Sequence, residues 1–256
     1  MLVRGVLLEG TVMNCGFYVG VYWGDRREGL DACAGRLSEY LAQLRECDVI
    51  FRQWFELGYS RKQALEKPVE IEISYLRGLL DQGRHRTDIG QHPIEDLGFH
   101  VSIWNGLSDS DGSTVFSTSC GSFSEHPGIL NSCVLTLPDN GENADRVLNY
   151  NTLQRILSVA VRAWEPDWGV VTSYSLSSRH PAKPRAPYWG WILYLSEHRG
   201  KVPSLAPPAS TLFIEEKGTI ITVTDEHFDC KWSDHLNSMK RVYSVLGKAG
   251  LLKPIP

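Results

Sequence analysis

The sequence predicts a single α+β domain, a largely antiparallel or mixed sheet with helices packed on it, and three observations carry that expectation. Several short segments alternate apolar and polar residues as strands do. Three longer ones repeat apolar residues at helical spacing. The links between them are mostly short, with no internal repeat, low-complexity tract or long linker, so residues 1–256 are expected to form one domain with a core over about 17–247.

The stretch on which the rest is expected to pack is Tyr188 to Ser196, YWGWILYLS. Trp189, Trp191, Leu193 and Leu195 fall on one face and Tyr188, Gly190, Ile192 and Tyr194 on the other. Both faces are largely apolar, which predicts a central strand covered on both sides.

Taken in order, Phe17 to Trp23 (FYVGVYW) is aromatic and β-branched and closes at Gly24-Asp25, which predicts the first strand. Leu30, Cys33, Ala34, Leu37, Tyr40, Leu41 and Leu44 then mark one face of an amphipathic helix. Val49 to Phe55 reads as a short strand. Ser60 to Lys67 reads as a short surface helix with Ser60 as N-cap, ended by Pro68. Val69 to Gly83 fits both periods and is assigned to a helix in its second half. His85 to Gln91 is a polar loop.

Phe99 to Trp104, ending at Asn105-Gly106, Thr114 to Phe123 and Asn131 to Leu137 are three strands with short links, the first joined by the loop SDSDGS, and predict an antiparallel meander. Asp139 to Asn143 is a turn. It feeds a helix marked by Leu148, Leu153, Ile156, Leu157, Ala160 and Trp164, which Pro166 stops. Val170 to Leu176 is a strand, and Ser177 to Pro187 (SSRHPAKPRAP) is a proline-rich basic connection without regular structure. Thr211 to Ile214 and Thr219 to Thr224 form a hairpin. The last helix starts with Ser233 as N-cap and buries Leu236, Met239, Tyr243 and Leu246.

Eight Trp, ten Tyr and eight Phe supply bulky core filling, and the formal net charge is -4. A direct nucleic-acid binder would show a basic excess, so none is expected here. No apolar run is long enough to span a membrane. The start of the chain, MLVRGVLLEGTVMNCG, makes a poor signal peptide, and the six cysteines (15, 33, 47, 120, 133, 230) contain no Cys-x-x-Cys pair. Reduced, mostly buried thiols in a cytoplasmic protein are expected.

No chemical signature stands out. Cys120 and His126 are the nearest thiol and imidazole in sequence, but Cys120 lies inside an alternating strand. Gly-x-Ser-x-Gly, phosphate-loop and dinucleotide patterns do not occur. Asp109 and Asp111 lack the later ligands of a calcium loop, and the eight histidines show no zinc spacing. The expectation is therefore a non-enzyme with no catalytic residue, cofactor or metal.

Charge is more informative. Between residues 215 and 234 stand six acids, Glu215, Glu216, Asp225, Glu226, Asp229 and Asp234, against the two bases Lys217 and Lys231, a balance equal to that of the whole chain. A solvated rim accounts for such a run, and so does an acidic patch that faces a basic partner. Trp54, Trp104, Trp168 and Trp232, at or near element ends, are the aromatic candidates for an interface, though each is expected in the core sooner than at an interface.

Five stretches, Phe17 to Arg26 (FYVGVYWGDR), Trp54 to Leu65 (WFELGYSRKQAL), Val101 to Gly106 (VSIWNG), Trp164 to Gly169 (WEPDWG) and Gly190 to Leu195 (GWILYL), together resemble the Immunity protein 52 family of bacterial polymorphic-toxin systems. They are packing and turn signatures, and the resemblance covers most of the chain, from about residue 17 to residue 247. The resemblance implies a cytoplasmic protein encoded beside a toxin and neutralising it by binding. The partner so implied is a restriction-endonuclease-like nuclease, often delivered by type VI secretion. It brings no interface motif with it, so the six acids are the interface inferred from this sequence alone. A small hydrolase with an unpatterned Cys or Ser nucleophile and a secretion-system adaptor are the competing classes. Oligomeric state is left open.

Overall fold

The computed structural model describes residues 16–126, 128–180, 183–229 and 231–255. The readings of the first fifteen residues, of Pro127, of Pro181 and Ala182, and of Cys230 lie outside them, as does the reading of Cys15. In order the elements are β1 (Phe17–Trp23), α1 (Leu30–Leu44), β2 (Phe55–Glu56), α2 (Arg61–Leu65), α3 (Ile73–Gln82), β3 (Phe99–Trp104), β4 (Val115–Cys120), β5 (Asn131–Thr136), α4 (Gly141–Val147), α5 (Tyr150–Trp164), β6 (Trp168–Ser173), α6 (Tyr174–Arg179), β7 (Ile192–Ser196), β8 (Ser210–Ile214), β9 (Gly218–Thr222) and α7 (Ser233–Lys248).

The nine strands form one sheet in the order β2-β3-β4-β5-β1-β6-β7-β9-β8, and every neighbouring pair is antiparallel. The α+β fold and the β3-β4-β5 meander are as the sequence predicts. The middle of the sheet is not. β1 lies at the centre, paired to β5 through Val21↔Cys133 and to β6 through Val21↔Gly169. Tyr188–Ser196 supplies an interior strand only from Ile192 onward, and its four preceding residues are a loop tied to the sheet by Trp191 N–H on Val171 O (2.8 Å).

Alternation along β1 explains how the faces are filled. Phe17, Val19, Val21 and Trp23 point to the face carrying α1, α3 and α5, where Trp23 stacks on Trp164 of α5 (5.4 Å) and Tyr40 of α1 meets Phe116 of β4 (5.2 Å). Tyr18, Gly20 and Tyr22 point to the other face. There the loop before β7 lies over them, and Tyr243 of α7 donates its hydroxyl to Tyr188 O at 2.7 Å. Gly20 keeps this face thin: a Cβ there would come within 2.5 Å of the Tyr22 hydroxyl.

Several element assignments change, each for a local reason. Val49–Phe51 is a 3₁₀ turn because Asp48 accepts the Ile50 N–H (3.0 Å), and only Phe55–Glu56 is strand. The helix before Pro166 is two helices, α4 and α5, since Asn149 caps α5 by accepting Thr152 N–H. Strand β6 ends at Ser173, whose hydroxyl accepts Leu176 N–H and starts α6 inside the stretch expected to be strand and irregular connection. The N-cap of α7 is Trp232 rather than Ser233, and its buried face includes His235 while Leu236 is half-buried. Trp54 and Trp168 are buried; Trp232 is exposed.

Candidate functional site

The predicted hairpin forms as β8 and β9, and it separates the six acids instead of gathering them. Glu215 and Glu216 occupy its turn, closed by Lys217 N–H on Ile214 O (3.0 Å). Glu216 takes the left-handed conformation (φ 56°), and Gly218 follows because a Cβ there would lie 2.2 Å from Leu195 O. Lys217 is pinned: its ammonium bonds Glu165, and its carbonyl accepts the Tyr194 hydroxyl (2.7 Å) and Glu197 N–H (2.9 Å). The Lys217 contact, helped by Arg36 (3.1 Å), holds the Glu165 carboxyl below the usual range. With the nearby cation so engaged, Glu215 and Glu216 are exposed and make no ion pair among the described residues.

The other four acids stand beyond the far end of β9, about 16 Å of strand away. Asp225 and Glu226 are exposed, Asp229 is half-buried, and Asp234 is exposed in the first turn of α7. Two of them, Glu226 and Asp229, contact His235. Its Nδ1 accepts Asp229 N–H (3.0 Å), which places the neutral ring's proton on Nε2, 3.3 Å from Glu226 Oε2. Phe228 stacks on this ring and on Trp191, whose indole N–H donates to Thr224 O (2.7 Å). Asp229 also accepts Lys231 N–H (2.8 Å). Glu226 and Asp229 thus shape the loop, whereas Asp225 and Asp234 have no polar side-chain partner among the described residues.

Cys120 is a free thiol fully buried in β4, and its hydrogen bond with Cys33 together with burial raises it well above the ordinary value, so it is held as the weakly nucleophilic thiol. His126 is occupied locally, its Nδ1 accepting Gly128 N–H (3.1 Å). Among the described residues no group of three His, Cys, Asp or Glu side chains has metal-holding geometry. Among the described residues no helix is long and apolar enough to cross a membrane.

Sequence reasoning missed the outer margin of the hairpin. β8 is the last strand of the sheet, and Ser210, Thr211, Leu212 and Phe213 are all exposed, Leu212 by 44% and Phe213 by 66%. Beside Phe213 runs a groove of about 610 Å³ lined by Val202, Pro203, Leu205 and Thr219, with Glu197 and Lys201 at its margin. On the opposite side, Leu212 borders a hollow of about 330 Å³ with Arg155 and Arg162. The signal was the uncharged run STLFI; what it lacked was any indication that this strand ends the sheet.

The fold and these surfaces define an α+β protein whose outward features are an edge strand, its flanking groove and two acidic ends of one hairpin. The chain belongs to the Immunity protein 52 family, whose profile matches residues 16–255. Among solved structures it is similar to the Pseudomonas aeruginosa T6SS protein PA0821, at 11% identity and a TM-score of 0.48, over 89% of this chain and 76% of that one. No curated protein matches it.

Proposed function

We propose that this chain is a non-enzymatic immunity protein that binds a cognate nuclease toxin in the cytoplasm and neutralises it by occupation. The observation that carries this is the family match across residues 16–255, which spans the described fold. The buried, protonated thiol of Cys120 supports it, because the nearest candidate nucleophile is spent on packing.

Inhibition proceeds either by covering the toxin's nucleic-acid-binding surface or by blocking its active conformation or assembly. A surface that grips phosphates is basic, so it matches the acids at the two ends of the hairpin. Neither direct nucleic-acid binding nor membrane binding is part of this function. The test is co-expression with the toxin encoded by the adjacent gene. Growth is expected to be restored, and killing that persists while the protein accumulates in soluble form overturns the reading.

A further inference from the structure

We propose that β8 is a strand-addition site: it takes an extended segment of the toxin that carries a large apolar side chain for the groove beside Phe213 and a basic residue for the acids at the hairpin turn. This rests on the toxin-binding reading above and names the surface and the chemistry of the occupant.

The two edges of the sheet are treated differently. At β2 the edge is two residues long and covered, since Glu56 N–H bonds Lys67 O (3.0 Å) and Val69 N–H bonds Trp54 O (2.8 Å) around Pro68. At β8 five residues pair with β9 from Ser210↔Thr222 to Ile214↔Gly218, and among the described residues no hydrogen bond reaches the outer side. Sheets ordinarily protect such an edge with Lys, Pro, a bulge or extreme shortness. None of these is present within Ser210–Ile214, so the strand exposes a row of backbone donors and acceptors that an extended peptide satisfies.

Side chains set which peptide fits. An added strand places alternate residues over the groove next to Phe213, where Val202, Pro203 and Leu205 offer apolar contact. Glu197 and Lys201 line that groove, and Glu215 and Glu216 stand exposed in the hairpin turn that follows β8, with Lys217 committed to Glu165. This charge selects a basic residue at that end. A second copy of this chain supplies none: antiparallel self-pairing centred on Leu212 sets Ala209 and Pro208 opposite Glu215 and Glu216, and parallel pairing sets acid against acid. A nuclease, which must be basic where it holds phosphates, is the complementary source.

The experiment uses the intact protein and the co-purified toxin, with Leu212→Lys/Phe213→Lys as the probe variant. Both side chains are exposed, so its unfolding curve should match the wild type. Expected are slower amide exchange at residues 210–214 in the wild-type complex and a loss of at least about tenfold in the variant's affinity. Toxin binding with unchanged exchange along β8 and unchanged variant affinity overturns the strand-addition site while leaving the immunity function standing. Failure of the wild type to bind toxin removes both. A concentration-dependent dimer without toxin, dissolved by the same variant, makes a second copy the occupant and overturns the toxin segment.

Discussion

Tyr188 gathers hydroxyls in a setting that should not tolerate losing one. Tyr18 donates to it at 3.0 Å and Tyr22 lies at 2.5 Å, and burial pushes the Tyr22 and Tyr188 phenols well above their ordinary value of 10.0. Tyr188→Phe removes the shared oxygen and leaves two partners under-satisfied, at an expected cost of about 1–3 kcal/mol in urea unfolding. The pH sign follows from the raised values. The protonated phenols stabilise the folded state in full below the unfolded pKa near 10, and that contribution declines above it as only the unfolded chain ionises. Wild-type stability should therefore fall above about pH 10, and less steeply in the variant. Trp191 is the apolar counterpart: fully buried, edge-on to Phe17 (6.1 Å) and bonded to Thr224 O. Trp191→Ala should cost about 3–5 kcal/mol, read from the same urea curves. Its burial was legible from alternation in YWGWILYLS. Trp54 and Trp168 are buried as expected, whereas Trp232 is exposed, because a position near an element's end does not reveal what another segment lays over it.

At the level of elements, legibility tracked how much of the signal was local. The bounds of α1 match its apolar face, and α2 begins after Ser60, whose hydroxyl accepts Gln63 N–H. The misread elements are those where a short polar side chain turned the backbone. VIFRQWF reads as strand by composition, but the Asp48 cap winds its start, and Ser173 does the same for α6. Asp48 also ties this turn to α4 through a bidentate pair with Arg146 (2.7 and 2.8 Å). Burial works to raise the Asp48 carboxyl, but the Arg146 bonds and the Ile50 N–H outweigh it and bring it below the usual range. A depressed carboxylate contributes stability above its unfolded pKa and loses it as the pH falls through the folded value. Asp48→Asn keeps a capping oxygen and discards the charge. The expected result is a loss within about 1 kcal/mol at neutral pH, Arg146 being well exposed, and a shallower fall in stability on acidification below about pH 4. An acid limb as steep as the wild type would show that Arg146 and Asp48 do not couple the two elements.

For the molecule as a whole, strand order was the least legible property, because two stretches, FYVGVYW and YWGWILYLS, are apolar on both faces and only long-range pairing decides between them. β1 took the centre by joining β5 and β6, more than a hundred residues later in the chain. The same limit hid the edge status of β8 and made six acids close in sequence look like one patch. Their separation sharpens an electrostatic prediction. Residues 215–234 carry the same formal balance as the entire chain, so the formal charges of the remainder sum to zero and the net negative charge resides in this segment. Asp225 and Asp234 are the clean probes at the far end, since Glu226 and Asp229 also hold the His235 loop. Asp225→Lys/Asp234→Lys should cost no more than about 1 kcal/mol in urea, from the reversed charge in the first turn of α7, and slow toxin association by roughly three- to tenfold at low ionic strength, with little change in dissociation. The difference should close as salt shortens the Debye length to about 8 Å near 0.15 M and further beyond. Association traces that coincide at every ionic strength would mean that these acids are solvated rim, and that the toxin approaches by the turn end of the hairpin alone.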